Sequence, residues 1–157
     1  MEPDATPAPS PPSPQGICPM GGRGAHAPSE GLLILHRRDD GTLKVEPQGG
    51  RRDGDGAYGL CPVEHLALAL GGCLSEFAGR FMERRRLPAA MRLDIQWKVS
   101  VQRCTVESLH VTLCIATTLD EMARQTFHRM LDLCPVHKAL LGNVDVELEV
   151  VELKVEG

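Results

Sequence analysis

The amino-acid sequence predicts a single α+β domain, in the order strands, long helix, strands, helix, strand. Two stretches, Leu93 to Val101 and Leu109 to Ile115, alternate apolar and polar residues, which is the period of half-buried strands. Between about Pro62 and Arg86, apolar residues recur at steps of three and four, which is the period of an amphipathic helix. The length of 157 residues, 42% of them hydrophobic, suits one domain with a real core.

The composition indicates where the folded domain begins and which classes of partner are expected. Met1 to Pro14 is crowded with proline and lacks apolar periodicity, so we expect a disordered tail followed by one domain over residues 15–157. The chain has no apolar stretch long enough to span a membrane and no export signal, so we expect a soluble, cytoplasmic protein. A formal charge of −4, with one Trp, one Tyr and three Phe, argues against a nucleic-acid partner and leaves small molecules.

The first predicted elements are a hairpin, a loop and the long helix. Two apolar runs between Leu32 and Val45 flank Asp39-Asp40-Gly41, a sequence that closes β-hairpins. The glycine-rich, charged stretch from Pro47 to Gly59 is expected to be a loop. Pro62 then suits the first position of a helix.

The long helix carries one apolar stripe, which includes a cysteine. The members of the stripe are Leu66, Leu70, Leu74, Phe77 and Phe81. Cys73 follows Leu70 by three positions, so we expect its side chain to be buried with them. Gly71-Gly72 costs helix stability, about 1 kcal/mol per glycine relative to alanine. Close approach by another backbone or by a substrate is a reason for these glycines.

The second half of the chain supplies the remaining elements. The two alternating stretches are expected to be antiparallel neighbours. Thr118-Leu119-Asp120-Glu121 matches a capping box and opens the second helix, which Pro135 ends directly after Cys134. The residues of this helix expected to face inward are Met122, Met130 and Leu133. After a turn at Gly142-Asn143, Val144 to Val150 alternates as a last strand, with a bulge expected at Val150-Val151.

Six cysteines without an export signal favour redox catalysis, metal binding or packing over a disulfide framework. Because the thiolate is the nucleophile, a reactive Cys73 needs a nearby cation, and Arg23, Arg51 and Arg52 are the candidates. Plain packing also suits a cysteine on an apolar stripe. Cys134, before Pro135, could resolve a sulfenic acid by forming a disulfide, but a separation of 61 positions does not by itself pair two cysteines.

Three segments carry a resemblance to a known family. They are Pro62-Val63-Glu64-His65-Leu66 through Gly71-Gly72-Cys73, then Cys134-Pro135-Val136-His137-Lys138 followed by Gly142-Asn143-Val144-Asp145-Val146, and Gly21-Gly22-Arg23-Gly24 followed by Ser29-Glu30-Gly31-Leu32. The first two resemble the signature cysteine regions of the OsmC/Ohr family, which comprises osmotically inducible protein C and the organic hydroperoxide resistance proteins. The third resembles the segment that carries the active-site arginine in the hydroperoxide resistance branch. The resemblance covers about Met20 to Val150.

The resemblance implies a fold, an assembly and a reaction. The fold would be two curved antiparallel sheets around central helices in an intertwined homodimer. Cys73 would attack an organic hydroperoxide and become a sulfenic acid, Cys134 would resolve it as a disulfide, and a dithiol of the lipoyl type would reduce that disulfide. Arg23 would hold Cys73 as the thiolate, no cofactor would be needed, and apolar residues such as Leu70 and Phe77 would favour lipid-like peroxides.

One position departs from the hydroperoxide resistance branch. That branch places a glutamate directly after the helix-starting proline to grip the arginine, and here the position is Val63. Glu64 lies one residue later, about 100° around the helix. Two interpretations of Glu64 stay open: a partner of the arginine, or a solvated carboxylate favoured by the helix dipole.

Two rival functions also remain. Cys61 and His65 are four positions apart and Cys134 and His137 are three apart, so four metal ligands exist if the fold brings the pairs together. Alternatively, Val63 suits a binding or redox-sensing protein that keeps the thiols but has little turnover. Cys18, Cys104 and Cys114 are expected to be structural or surface thiols.

Overall fold

A computed structural model describes residues 29–47 and 60–154 of the chain. The elements are β1 (Glu30–Arg37), β2 (Leu43–Pro47), α1 (Pro62–Arg84), β3 (Met91–Ser100), β4 (Thr105–Ile115), α2 (Glu121–Leu131), α3 (Pro135–Leu140) and β5 (Asp145–Glu152). The α+β class is confirmed. The tail expected over Met1 to Pro14 lies outside the described residues. Within the described part, no helix is both long enough and apolar enough to cross a bilayer.

The described strands form one sheet of five, in the order β2-β1-β3-β4-β5. The neighbours are antiparallel except for β4 and β5, which are parallel. The parallel pair differs from the all-antiparallel pairing that was expected. The cause is the connection: α2 and α3 lie between β4 and β5, and a helical crossover returns the chain in its original direction, whereas a short turn would reverse it.

The hairpin of β1 and β2 closes as predicted. The carboxylate Oδ1 of Asp40 accepts hydrogen bonds from the backbone N–H of Thr42 at 2.9 Å and from its hydroxyl at 2.6 Å. Gly41 has φ +85°, a conformation that favours glycine. The turn is therefore encoded by its own residues.

Helix α1 packs on one face of the sheet, on a face slightly rotated from the predicted stripe. Leu70, Leu74 and Phe81 are buried as expected, together with the small residues Ala67 and Ala78. The other predicted members, Leu66, Cys73 and Phe77, are only half-buried at the edge of this face. The small residues let their side of the helix approach the sheet closely. The buried face of α1 is therefore shifted toward them and away from Leu66, Cys73 and Phe77.

Gly71 lets α1 approach the sheet closely. A Cβ atom there would overlap the Cδ1 atoms of Ile95 and Leu35. The expected close approach is thus made by side chains of the sheet. At Gly72 a Cβ would meet Leu43 Cδ2 at an ordinary 3.8 Å.

Helix α2 starts later, and faces the core differently, than predicted. Its N-cap is Asp120, whose carboxylate accepts the N–H of Ala123 at 2.8 Å. The inward residues are Ala123, Phe127 and Leu131, at steps of four. The inward orientation predicted for Met122 and Leu133 is wrong, since they are 78% and 55% exposed, and Met130 is half-buried. Because the small Ala123 occupies one position of the buried row, the spacing of the inward-facing residues of α2 was not evident from the large apolar residues.

The end of the chain contains two further corrections. Helix α2 ends at Leu131, and Pro135 does not stop it but opens α3 as its first residue, with Cys134 as the N-cap. The bulge expected at Val150-Val151 is wrong, because β5 keeps an unbroken register with β4, from Asp145 opposite Ser108 onward. The irregularity lies instead between Lys98 and Val99 of β3.

A cluster of hydrogen bonds joins the start of α2 to the end of β5. Arg124 donates from Nε to Glu152 Oε1 at 2.8 Å and from Nη2 to Oε2 at 3.2 Å, and the backbone N–H of Leu119 donates to the same carboxylate at 3.0 Å. Arg124 holds the pKa of Glu152 below its ordinary value. The charged carboxylate is therefore the form that stabilises this junction.

We expect Glu152→Gln to lower the melting temperature at neutral pH and to matter less as the pH falls. A carboxyl group whose pKa is lowered by folding stabilises the protein above its unfolded pKa, and this contribution disappears as the pH falls through the folded pKa. Thermal unfolding from neutral pH down to about pH 3 measures the effect. Glu149→Gln, at an exposed position of the same strand, is the control. A loss in melting temperature that is independent of pH would contradict this account.

Candidate active site

The fold brings Cys73 and Cys134 into contact. Cys73 is half-buried on the fourth turn of α1, and Cys134 is fully buried at the start of α3, which packs against α1. The two thiols, which are both free, lie close enough for Cys73 to influence Cys134 electrostatically. The fold thus brings together two cysteines that are 61 positions apart in the sequence.

The two thiols differ in their electrostatic surroundings. Burial, followed by the proximity of Cys73, raises the pKa of Cys134 to about 11, although backbone N–H groups of His137 and Val136 oppose the shift. The N–H of His137 lies 3.4 Å from the Cys134 sulfur. Cys134 is consequently a thiol at neutral pH, and its S–H can donate to the sulfur of Cys73. This leaves Cys73 as the accepting and more accessible sulfur.

Apolar side chains lie beside Cys73 on the same edge of α1. Leu66 and Phe77 are half-buried there and occupy nearly the same side of the helix as Cys73. Gly72, the adjacent residue, has no side chain, and Leu43 of β2 is its neighbour at contact distance. This edge of α1 combines apolar side chains with Arg80, whose guanidinium lies 5.8 Å from the centroid of the Phe77 ring and pairs with Glu76.

The start of α1 revises the interpretation of Val63 and Glu64. Glu64 is 3% exposed, and its Oε2 accepts the backbone N–H of Cys61 at 3.0 Å, so the solvated carboxylate is excluded. Val63 is buried in the core. A glutamate at position 63 would therefore put a carboxylate among apolar side chains in this fold. Its effect would not report on the arginine, so the test of the carboxylate belongs at Glu64.

The candidate cations lie outside the described residues. Arg23, in the Gly21-Gly22-Arg23-Gly24 segment, and Arg51 and Arg52 are not among residues 29–47 and 60–154. Their role in activating Cys73 stays a prediction.

The proposed Cys/His metal site is wrong for this fold. Cys61 and His65 lie at the start of α1, about 18 Å and about 12 Å along the helix from Cys73 at 1.5 Å per residue, whereas Cys134 lies close to Cys73. In the described part of the chain, the group of side chains close enough to share a metal is a different one: His110, Asp145 and Glu147.

The remaining described thiols lie at other places in the fold, with Cys61 as the N-cap of α1. Cys104 is exposed in the turn before β4, and Cys114 is half-buried on β4, where burial raises its pKa. Sequence reasoning missed the capping role of Cys134. The signal was present, because a residue directly before a proline at the first helical position is an N-cap.

The chain is similar to known proteins in sequence and in fold. The model of the family described as OsmC-like protein matches residues 53–149, more than half of the chain. No curated protein sequence matches it. One similar solved structure is from Psychrobacter arcticus 273-4 and is named for an osmotic stress induced and detoxification response. It has 13% identity and a TM-score of 0.55, over 82% of this chain and 99% of that one.

Two further structures are similar. An OsmC like protein from Mycoplasma pneumoniae has 15% identity and a TM-score of 0.54, over 76% of this chain and 95% of that one. The organic hydroperoxide resistance protein OhrB of Bacillus subtilis has 20% identity and a TM-score of 0.44, over 75% and 96%. At such identities the first two likenesses show the fold, and the matched segment shows the family. This chain belongs to the OsmC-like protein family.

Proposed function

We propose that the protein is a thiol-dependent peroxidase that reduces organic hydroperoxides to alcohols. The observation that carries the proposal is the contact between a half-exposed thiol, Cys73, and a buried thiol, Cys134, whose pKa is raised to about 11. A buried thiol that stays protonated is a poor attacker of peroxide, but it is well placed to reduce an oxidised neighbour.

The reaction proceeds in three balanced steps. The Cys73 thiolate attacks one peroxide oxygen, the O–O bond breaks, and the departing alkoxide takes a proton to become the alcohol. The resulting Cys73 sulfenic acid is attacked by the sulfur of Cys134, which forms the disulfide and releases water. A dithiol, which we propose to be of the lipoyl type, reduces the disulfide by exchange and is itself oxidised. No cofactor takes part, and we place this cycle in the cytoplasm, where thiols are kept reduced.

The apolar edge of α1 supports an organic peroxide as the substrate. Leu66 and Phe77 lie beside Cys73, and Leu43 lies next to Gly72. Such surroundings favour an alkyl chain over the small polar hydrogen peroxide, because burying apolar surface gives about 25 cal/mol per Å². The test compares steady-state consumption of cumene hydroperoxide and hydrogen peroxide with dihydrolipoamide as reductant. Repeated turnover that prefers cumene hydroperoxide supports the proposal, and oxidation of the thiols without turnover would indicate a sensor instead.

The buried carboxylate of Glu64 supports an arginine as the activating cation. A buried carboxylate needs a cation or hydrogen-bond donors to offset the loss of water. We propose that Arg23 fills this role, with Glu64 in place of the glutamate that the hydroperoxide resistance branch has at the position of Val63. Because Glu64 and Cys73 of one chain lie about 13.5 Å apart along α1 and on opposite sides of it, we propose that the Glu64-Arg23 pair serves a Cys73 across the interface of the homodimer.

We expect Glu64→Gln to slow the reaction of Cys73 with peroxide by about tenfold or more while leaving the fold intact. Glutamine keeps the side-chain oxygen that accepts the N–H of Cys61 and removes only the charge. Stopped-flow oxidation of Cys73, combined with the pKa of its thiol from a pH series, measures the effect. Glu149→Gln, at an exposed position of β5, is the control. An unchanged rate and thiol pKa would remove Glu64 from the mechanism.

We expect the protein to be a homodimer in solution. The inner-face residues of the edge strand β5, Val146, Leu148 and Val150, are only half-buried, as are Leu66 and Phe77 on α1. A second copy that covers these apolar side chains would remove them from water. Light scattering should give twice the chain mass of 17.1 kDa. A monodisperse species at the single-chain mass would contradict the dimer.

A further inference from the structure

The face of the sheet opposite α1 carries a compact group of three metal-binding side chains. His110 of β4 lies directly opposite Glu147 of β5 in the parallel register, and Asp145 precedes Glu147 by two residues on the same face. Their ligand atoms all lie within 4.8 Å of one another. Two paired strands therefore fix the group, which involves no loop residue.

The distances within this group are close to those of a metal site. His110 Nε2 lies 3.6 Å from Asp145 Oδ2, and His110 Nδ1 lies 3.8 Å from Glu147 Oε2. Ligands about 2.1 Å from a tetrahedral metal are separated by about 3.4 Å. Because the two carboxylates lie beside different nitrogens of the ring and one metal takes one of them, the imidazole has to turn so that a single nitrogen faces both carboxylates. The separations are longer than good hydrogen bonds, which means that the three side chains do not satisfy one another.

The imidazole itself points to a missing partner. His110 Nε2 is shielded from solvent and has no hydrogen-bond partner, although part of the ring is exposed. A buried polar atom without a partner costs free energy, and a metal bond would satisfy it. The residue of β3 that pairs with His110 is Gln96, whose side chain is neutral.

The charges around His110 also favour a cation. Asp145, Glu147 and Glu149 project from the same face of β5, and like charges so placed repel one another. Lys98 of β3, opposite Ser108, directs its Nζ to Glu107 at 3.8 Å. A divalent cation between the carboxylates would offset the repulsion.

We propose that His110, Asp145 and Glu147 form a binding site for a divalent first-row transition metal, with Zn²⁺ as the best match. An imidazole nitrogen disfavours Ca²⁺ and Mg²⁺, and one nitrogen with two carboxylate oxygens is a borderline set that suits Zn²⁺ or Co²⁺. The remaining positions on the metal face solvent. The site is separate from the Cys73 and Cys134 pair and does not depend on the proposed peroxidase reaction.

Titration of the reduced, full-length protein with Co²⁺ tests the proposal, because Co²⁺ reports its ligands by its visible spectrum. We expect one Co²⁺ per chain, with bands of nitrogen and oxygen ligation and no thiolate charge-transfer band. His110→Ala and the isosteric Asp145→Asn should each weaken binding by about tenfold or more. His36→Ala is the matched control, since His36 also lies beside a carboxylate, with Nε2 3.0 Å from Glu46, and it should bind Co²⁺ like the unaltered protein.

Three results would overturn the site. One is the absence of Co²⁺ binding at millimolar concentration. Another is unaltered affinity in both His110→Ala and Asp145→Asn. The third is a thiolate charge-transfer band that disappears in Cys134→Ser, which would place the metal on the cysteine pair.

Discussion

Replacement of Cys73 by serine is expected to abolish the consumption of organic hydroperoxide and to leave Cys134 reduced. A serine hydroxyl is not ionised near neutral pH, so it cannot attack the peroxide bond. Cys134 cannot take over, because burial raises its pKa to about 11 and keeps it protonated. If Cys73→Ser retained turnover, another thiol would be the attacking group.

The Cys134→Ser variant is expected to lose its activity in a different way. Cys73 should still reduce one equivalent of hydroperoxide per chain, since the first step needs only the attacking thiol. The reaction should then stall, with Cys73 trapped as the sulfenic acid or oxidised further to the sulfinic acid by excess peroxide. Cys104→Ser, which alters an exposed thiol remote in the fold, is the matched control and should cycle normally.

The second large effect is expected from Gly79→Ala, at a point where α1 crosses a buried arginine. The guanidinium of Arg37 lies against Gly79 and donates from Nη1 to the Ala89 carbonyl and from Nη2 to Glu83 Oε1, both at 3.0 Å. A Cβ atom at position 79 would overlap this guanidinium. The buried charge would then have to leave its hydrogen bonds.

The expected destabilisation by Gly79→Ala is about 2 to 4 kcal/mol. Overpacking costs about 1 to 3 kcal/mol, and disturbed hydrogen bonds to a charged group add roughly 1.5 to 3 kcal/mol, while alanine regains about 1 kcal/mol of helix propensity. The melting temperature should fall by about 10 °C. Chemical and thermal denaturation measure both quantities.

Gly72→Ala is the matched control for this substitution. It lies in the same helix, but its added Cβ would meet Leu43 Cδ2 at an ordinary 3.8 Å. It should stabilise the protein by about 0.5 to 1 kcal/mol, because alanine favours the helix. Equal stability of the two variants would show that Arg37 is not held in its buried position.

The sequence predicts those parts of the fold that local chemistry determines. The first hairpin is encoded by Asp40 and Gly41. In α1, the helical spacing of apolar residues continues over a longer stretch than any competing pattern. The inner face of α2 escaped prediction, because the small Ala123 occupies a core position that a larger residue usually marks. The parallel pairing of β5 escaped it as well, since alternation does not specify direction.

The candidate site depends more strongly on tertiary packing. Spacing alone could not pair Cys73 with Cys134, and the pairing was implied by a resemblance. The contact exists because α3, opened by Pro135, packs against α1. The group of His110, Asp145 and Glu147 could not be predicted either, because it requires the register of two parallel strands.

The most direct measurement of the central claim is peptide mapping of the protein after one equivalent of cumene hydroperoxide. We predict a single intramolecular disulfide, with the loss of two hydrogen atoms from the chain, between the peptides that contain Cys73 and Cys134. The other cysteines should remain reduced. A disulfide that joins any other pair of cysteines, or a protein that remains fully reduced after this treatment, would contradict the account.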